Sequence, residues 1–199
     1  GHSERIANDL HARVPSDIVK LSETFDRSGA MNYFTSFRES FFRTDNSQYL
    51  VKDAIPNPAP YAAVVFIGPV WWWGLNGPLK NACTLVAETI QPTQHVFLGL
   101  SYAGRSFPGD KGSYDEYKAI FGGKAVVHHD YSGAQEQDYA EGKCKERFDA
   151  YVAEIQSVTA AQPEGAVEAP TEDAPQEKEA AVQATDEASK EEVKESSNA

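Results

Sequence analysis

Residues 61–83 read YAAVVFIGPVWWWGLNGPLKNAC, and the fold turns on how that stretch divides. Residues 62–68 (AAVVFIG) form a continuous apolar run bounded by turn residues. They lack the polar alternation of a strand with one wet face, so the run reads as a strand buried on both sides. Residues 78–90 then read as a helix. Between them lies a loop of Pro69, Val70, Trp71, Trp72, Trp73, Gly74, Leu75, Asn76 and Gly77.

The same rhythm extends outward. Upstream, residues 3–13 place Ile6, Ala7 and Leu10 on one helical face, and Pro15 ends the helix. Residues 17–21 (DIVKL) alternate and suit a short strand. Residues 30–42 carry Met31, Phe34, Phe37, Phe41 and Phe42 at three- and four-residue intervals, the pattern of an amphipathic helix. Residues 44–60 are loop-like, with three prolines near their end.

Downstream, residues 95–100 (HVFLGL) are a second buried strand, followed by a Gly/Ser/Pro-rich loop to Ser113. A helix over 114–121 is stopped by Gly122 and Gly123, and 124–129 (KAVVHH) form a third strand. A last helix over 141–158 aligns Cys144, Phe148, Tyr151, Val152 and Ile155 on one face. Strands alternating with helices of this length imply an α/β fold, a doubly wound parallel sheet with helices on both faces. In such a sheet the ligand sits beyond the carboxyl ends of the strands, where the strand order reverses.

The chain has 199 residues and a net charge of −12, and that charge is unevenly placed. Residues 158–199 carry eleven acidic residues against three lysines, and contain no Phe, Tyr, Trp, Leu or Ile. Too little apolar surface is present there to offset chain entropy, so this segment reads as a disordered acidic tail. The remaining domain, residues 1–157, has a net charge of only −4. No basic face is available for a nucleic-acid backbone. No apolar run reaches the roughly 18–20 residues needed to span a bilayer. Two cysteines, Cys83 and Cys144, make no disulfide framework and suit a reducing, cytoplasmic compartment.

Three loops fall at the ligand end of the sheet. Trp71, Trp72 and Trp73 are either packed under a neighbouring element or form a stacking platform for a planar ligand. After the second strand, Ser101, Tyr102, Ala103 and Gly104 offer small residues that let backbone N–H groups approach a ligand, with Tyr102 as a further aromatic face. Gly1, His2 and Ser3 stand at the start of the first helix. Free N–H groups, a hydroxyl and the positive dipole end make that an anion site, or else a plain helix cap.

In this order the pieces resemble the flavodoxin-like family of FMN-binding proteins, whose strand order is 2-1-3-4-5. Gly1-His2-Ser3 followed by Glu4-Arg5-Ile6-Ala7 is similar to the end of that family's phosphate loop. Residues 61–83 resemble its third strand, flavin loop and following helix. Gly77-Pro78-Leu79-Lys80-Asn81-Ala82 is similar to the helix start in NAD(P)H-dependent FMN and quinone reductases. The resemblance implies FMN as cofactor, with Ser3 and the Gly1 and His2 backbone on its phosphate. It places Pro69, Val70 and Trp71 to Gly74 on one ring face, with Trp72 or Trp71 stacking. Ser101 to Gly104 would border the other side. It implies no protein nucleophile, acid/base pair or metal.

One element of the family order has no counterpart. Strand one, which lies between strands two and three, is missing together with the first half of the phosphate loop. Residues 17–21 would then have no partner facing 62–68, leaving backbone groups unpaired. At least about 8–12 further residues upstream, including an apolar strand, are the expectation.

Three functions are consistent with these features. The first is an FMN-dependent oxidoreductase passing electrons from NAD(P)H to a flavin, quinone or other small-molecule or protein acceptor. The second is a non-enzymatic flavodoxin-type electron carrier, for which a body charge of −4 is modest. The third is a cofactor-free interaction module. A homo-oligomer is left open. Among weaker candidates, His128 and His129 are adjacent on a strand and point to opposite faces, which disfavours a shared metal. Asp115 and Glu116 read as acidic residues complementing a helix start.

Overall fold

A computed structural model describes residues 1–25, 34–35, 37–39, 42, 47–71, 74–102, 109–128 and 131–161. Within them lie five strands: β1 (Ala63–Trp71), β2 (Gly74–Leu75), β3 (His95–Tyr102), β4 (Val126–Val127) and β5 (Tyr131–Gln135). The helices are α1 (His2–His11), α2 (Gly77–Thr89), α3 (Gly109–Phe121), α4 (Glu136–Ala140) and α5 (Lys145–Ala160). The order across the sheet is β2-β1-β3-β4, with β5 also on β3. The architecture is mixed α/β around a mostly parallel sheet.

The two apolar runs of the sequence are its two principal strands. β1 and β3 are parallel and in unbroken register from Ala63 opposite His95 to Pro69 opposite Ser101. β3 is buried through its centre on both faces, as its HVFLGL composition requires. One face packs Phe66, Leu98 and Leu100 against α2 and α3, where the rings of Phe66, Tyr117 and Phe121 meet at 5.1–6.3 Å. The other packs Val65, Ile67 and Phe97 against Ile6 and Leu10 of α1 and Phe148, Val152 and Ile155 of α5. The result is a three-layer domain with α2 and α3 on one side of the sheet and α1 and α5 on the other.

Local signals place the helix ends. Asn76 caps α2 by accepting the N–H of Leu79 at 3.0 Å, and Pro78 occupies its first turn, where no N–H is needed. Gly123, in the stop after α3, has φ +77°, the left-handed region that glycine enters without steric cost. A side chain at Gly68 would approach Leu79 Cδ2 at 2.9 Å and Asn76 Nδ2 at 3.0 Å. The end of β1 therefore runs directly under the start of α2.

Several expectations need correction. Residues 17–21 form no strand; the ladder nearby is a single antiparallel bridge from Glu23 to Leu50. The third strand over 124–129 contracts to Val126–Val127, and the edge of β3 is completed by β5, which no sequence pattern announced. α3 starts at Gly109, inside the stretch read as loop, and α5 begins at Lys145 and continues through residue 157 to Ala160. Cys144 is the cap residue of α5, not a member of it, although it is buried in the core as expected. The expected loop over 44–60 contains short 3-10 turns at Ser47–Tyr49 and Lys52–Ala54. Most of the helix expected over 30–42 and the tail from residue 162 onward lie outside the described residues. Among those that are described, no helix is long and apolar enough to cross a membrane. The exact flavodoxin-like strand order is not reproduced.

Candidate functional site

The carboxyl ends of β1 and β3 lie side by side, with Pro69 opposite Ser101. α1 begins over the same place: the hydroxyls of Ser3 and Ser101 are 2.9 Å apart. Ser101 is buried, and the bond between the two is partly buried. Residues from three separate loops of the sequence thus converge on one end of the sheet.

The first turn of α1 has N–H groups with no intrahelical acceptor, pointing toward this end. His2 is half-buried with its ring edge-on to Tyr139 at 5.6 Å. Its Nε2 is buried and has no hydrogen-bond partner among the described residues. Arg5 places its guanidinium 5.6 Å from the Tyr139 ring centre, and the Tyr139 hydroxyl donates to Asp9 at 2.5 Å. An orphaned imidazole nitrogen, two hydroxyls and a helix N-terminus together suit a phosphate monoester. One feature opposes it: the Glu4 carboxylate lies 2.8 Å from the amino group of Gly1, with Lys20 at 3.9 Å. Those cations, the amino group first, hold the Glu4 carboxyl below its ordinary range.

The tryptophan loop is a hairpin. Val70 pairs with Leu75 and Trp71 with Gly74, antiparallel, so β1 runs on to Trp71 before the chain reverses. The hairpin is clamped from α3. Glu116 accepts the N–H of Leu75 at 3.1 Å and lies 3.6 Å from Lys80 of α2. A side chain at Gly74 would meet the Glu116 carboxylate at 2.9 Å, so it would displace the end of the Glu116 side chain from the Leu75 N–H. Asn76 donates from Nδ2 to the Pro69 carbonyl at 2.8 Å while capping α2. The base of the hairpin is therefore tied to both helices of its layer.

Of the residues expected at the site, Gly1, His2, Ser3, Pro69 and Ser101 lie at this end of the sheet. Pro69 is exposed, Val70 packs partly into the core beside α2, and Tyr102 is half-buried at the end of β3. Trp71 ends β1. Trp72, Trp73, Ala103 and Gly104 lie outside the described residues. Sequence reasoning missed Asn76 and Glu116. Asn-Gly-Pro is a legible helix-start signal that names Asn76. Glu116 carried no such signal, and its reading as a helix-start residue is corrected: it sits in the second half of a helix that begins at Gly109.

A second polar cluster lies at the opposite, amino end of the sheet. His95 Nδ1 and His128 Nε2 are 2.7 Å apart, and His128 Nδ1 is 2.7 Å from Glu154 Oε1. A carboxylate only accepts, so His128 donates from Nδ1 to Glu154. The His128 ring stacks on Phe97 at 4.1 Å. Burial first, and His128 second, push the His95 pKa down. His129 and Asp130 lie outside the described residues, and among the described ones no group of three or more potential ligands is placed to hold a metal.

No protein-family model, curated protein or solved structure matches the chain.

Proposed function

We propose that the chain is a flavodoxin-like protein that binds FMN beyond the carboxyl ends of β1 and β3, and that it passes electrons from NAD(P)H to a flavin, quinone or similar acceptor. The observation that carries this reading is the 2.9 Å contact of Ser3 with Ser101 at the level of Pro69. It gathers the expected phosphate loop, the flavin loop and the second ring-side loop at the end of the sheet where α/β folds bind ligands. The buried, unpartnered Nε2 of His2 supports it further.

When bound, FMN supplies hydride and single-electron chemistry; the protein supplies binding and orientation. In this reading Ser3, His2 and the first-turn N–H groups of α1 hold the phosphate. The hairpin ending at Trp71 is steadied by Glu116 and Asn76, so that it presents a fixed surface to the ring. Ser101 and Tyr102 border the opposite side. Cys83 and Cys144 are both buried, in keeping with a proposed reducing, cytoplasmic setting.

Titration of FMN, followed by quenching of flavin fluorescence, tests the reading. Saturable one-to-one quenching that weakens in Ser3→Ala is expected. Absence of quenching up to millimolar FMN overturns it. NAD(P)H oxidation with a quinone then separates an enzyme from a carrier. The Glu4 carboxylate beside Gly1 favours a second reading, a cofactor-free interaction module, which predicts no quenching.

A further inference from the structure

Two imidazole nitrogens face each other at the amino end of the sheet. His95 opens β3, and His128 follows the last residue of β4. The parallel ladder sets His95 opposite Val126, and the His128 N–H donates to the Val96 carbonyl at 3.1 Å. Side chains two apart on a strand share a face. His95, Phe97 and His128 therefore lie on the face that packs against α5. This pairing brings His95 Nδ1 to 2.7 Å from His128 Nε2.

His128 is held at two further points. Its ring lies flat on Phe97, with centroids 4.1 Å apart and planes 12° from parallel. Phe97 is itself fully buried, so the stack is a fixed wall. Behind the ring, Nδ1 donates to Glu154 Oε1 of α5 at 2.7 Å. That bond keeps a proton on Nδ1, which leaves Nε2 as the nitrogen that can offer a lone pair. A carboxylate bonded to the far nitrogen of an imidazole fixes its tautomer and makes the near nitrogen a stronger ligand, the arrangement found behind metal-bound histidines. The His128 side chain is only 14% exposed, whereas that of Glu154 is 45% exposed. The cluster is thus dry against Phe97 and meets solvent at Glu154.

We propose that His95 Nδ1 and His128 Nε2 ligate a divalent first-row transition ion of the zinc class, with Glu154 orienting His128. Imidazole nitrogen suits such ions, whereas Mg²⁺ and Ca²⁺ demand oxygen ligands. Zinc–nitrogen bonds of about 2.0–2.1 Å in a tetrahedron set two nitrogens about 3.3 Å apart. The pair therefore parts by about 0.6 Å from its 2.7 Å contact, a movement of side-chain torsions that leaves the ladder in place. His95 then carries its proton on Nε2, which clears the gap for the ion. Among the described residues no third ligand joins the two imidazoles, so water fills the remaining positions. The ion ties β3 to the end of β4 and, through His128 and Glu154, to α5. Ser3 and Ser101 mark the opposite end of the sheet, so this site is separate from the proposed flavin site and stands without it.

A Zn²⁺ titration of the 199-residue chain, followed by ¹⁵N NMR of the histidine rings, tests the proposal. One equivalent of Zn²⁺ is expected to shift His95 Nδ1 and His128 Nε2, while His128 Nδ1 keeps its proton. The melting temperature rises with free Zn²⁺, because the ion binds the folded chain. His95→Asn and His128→Asn each abolish that rise. Glu154→Gln keeps an oxygen acceptor without its charge and weakens binding about 10- to 100-fold. His11→Asn, at the far end of α1, leaves the affinity unchanged. The ring spectra are read on the unaltered chain, so the test survives a variant that fails to fold. Shifts confined to the other histidines, equal shifts with Mg²⁺, or an affinity that Glu154→Gln leaves unchanged overturn the proposal.

Discussion

Ser3 and Ser101, 98 residues apart in sequence, meet through their hydroxyls at 2.9 Å. That contact joins the start of α1 to the end of β3. Net of water, a hydroxyl pair of this kind contributes about 0.5–1.5 kcal/mol. Ser3→Ala is therefore expected to lower stability by about 1 kcal/mol in urea unfolding. If Ser3 also holds a phosphate, the charge-assisted bond is worth about 1.5–3 kcal/mol, and FMN affinity falls about 10- to 100-fold. Loss of stability with unchanged affinity would make the contact purely structural.

Glu116 holds the hairpin through the Leu75 N–H and Lys80. Glu116→Ala leaves that N–H without its acceptor and costs about 1.5–3 kcal/mol. The intrinsic tryptophan fluorescence should shift at the same time, because Trp71, Trp72 and Trp73, the only tryptophans, belong to the clamped segment. Glu116→Gln keeps an acceptor oxygen and should lose less. Identical spectra and midpoints for all three proteins would remove the clamp from the account.

Tyr117 is fully buried between Phe66 and Phe121, and its hydroxyl has no hydrogen-bond partner among the described residues. Burial holds its pKa far above the usual phenol value. An unsatisfied buried hydroxyl costs about 1–3 kcal/mol. Tyr117→Phe is thus expected to raise the denaturation midpoint, against the usual direction for core substitutions. A lowered midpoint would show that the hydroxyl does have a partner.

His95, half-buried beside His128, makes stability depend on pH. The pKa of His95 is depressed in the folded protein, so the folded state disfavours its proton more than the unfolded chain does. Its contribution is complete above the unfolded value near 6.5, and declines as pH falls from there through the depressed folded value. Melting temperature measured from pH 8 to pH 5 should fall with acidity, and His95→Asn should flatten the profile over that window. A profile that His95→Asn leaves unchanged would assign the dependence to other groups.

Much of the layer architecture could be read from β1 and β3, because continuous Val, Ile, Leu and Phe runs leave a strand no wet face. Both helices that follow them were also legible, α2 by its apolar spacing and α3 in its second half. Where reading failed, tertiary contacts overrode local pattern. Residues 17–21 alternate as a strand would, but alternation does not supply a neighbour, and among the described residues no strand pairs with them. β5 has the sequence YSGAQ, which carries no strand signature; the open edge of β3 recruits it. The first turn of α3 is Gly, Asp, Lys and Gly, poor helix formers that are nonetheless helical. At the site, the junction of Ser3, Pro69 and Ser101 followed from the rule that α/β ligands sit at strand ends. Glu116 did not, since with the helix read from residue 114 a carboxylate there is accounted for by the helix dipole until the true start at Gly109 and the Leu75 partner are placed.

The central claim is that FMN binds where α1, β1 and β3 meet. Its most direct test is an FMN titration of the 199-residue chain read by flavin fluorescence. The account predicts saturable one-to-one quenching, weakened about 10- to 100-fold in Ser3→Ala. Absence of quenching up to millimolar FMN would contradict it.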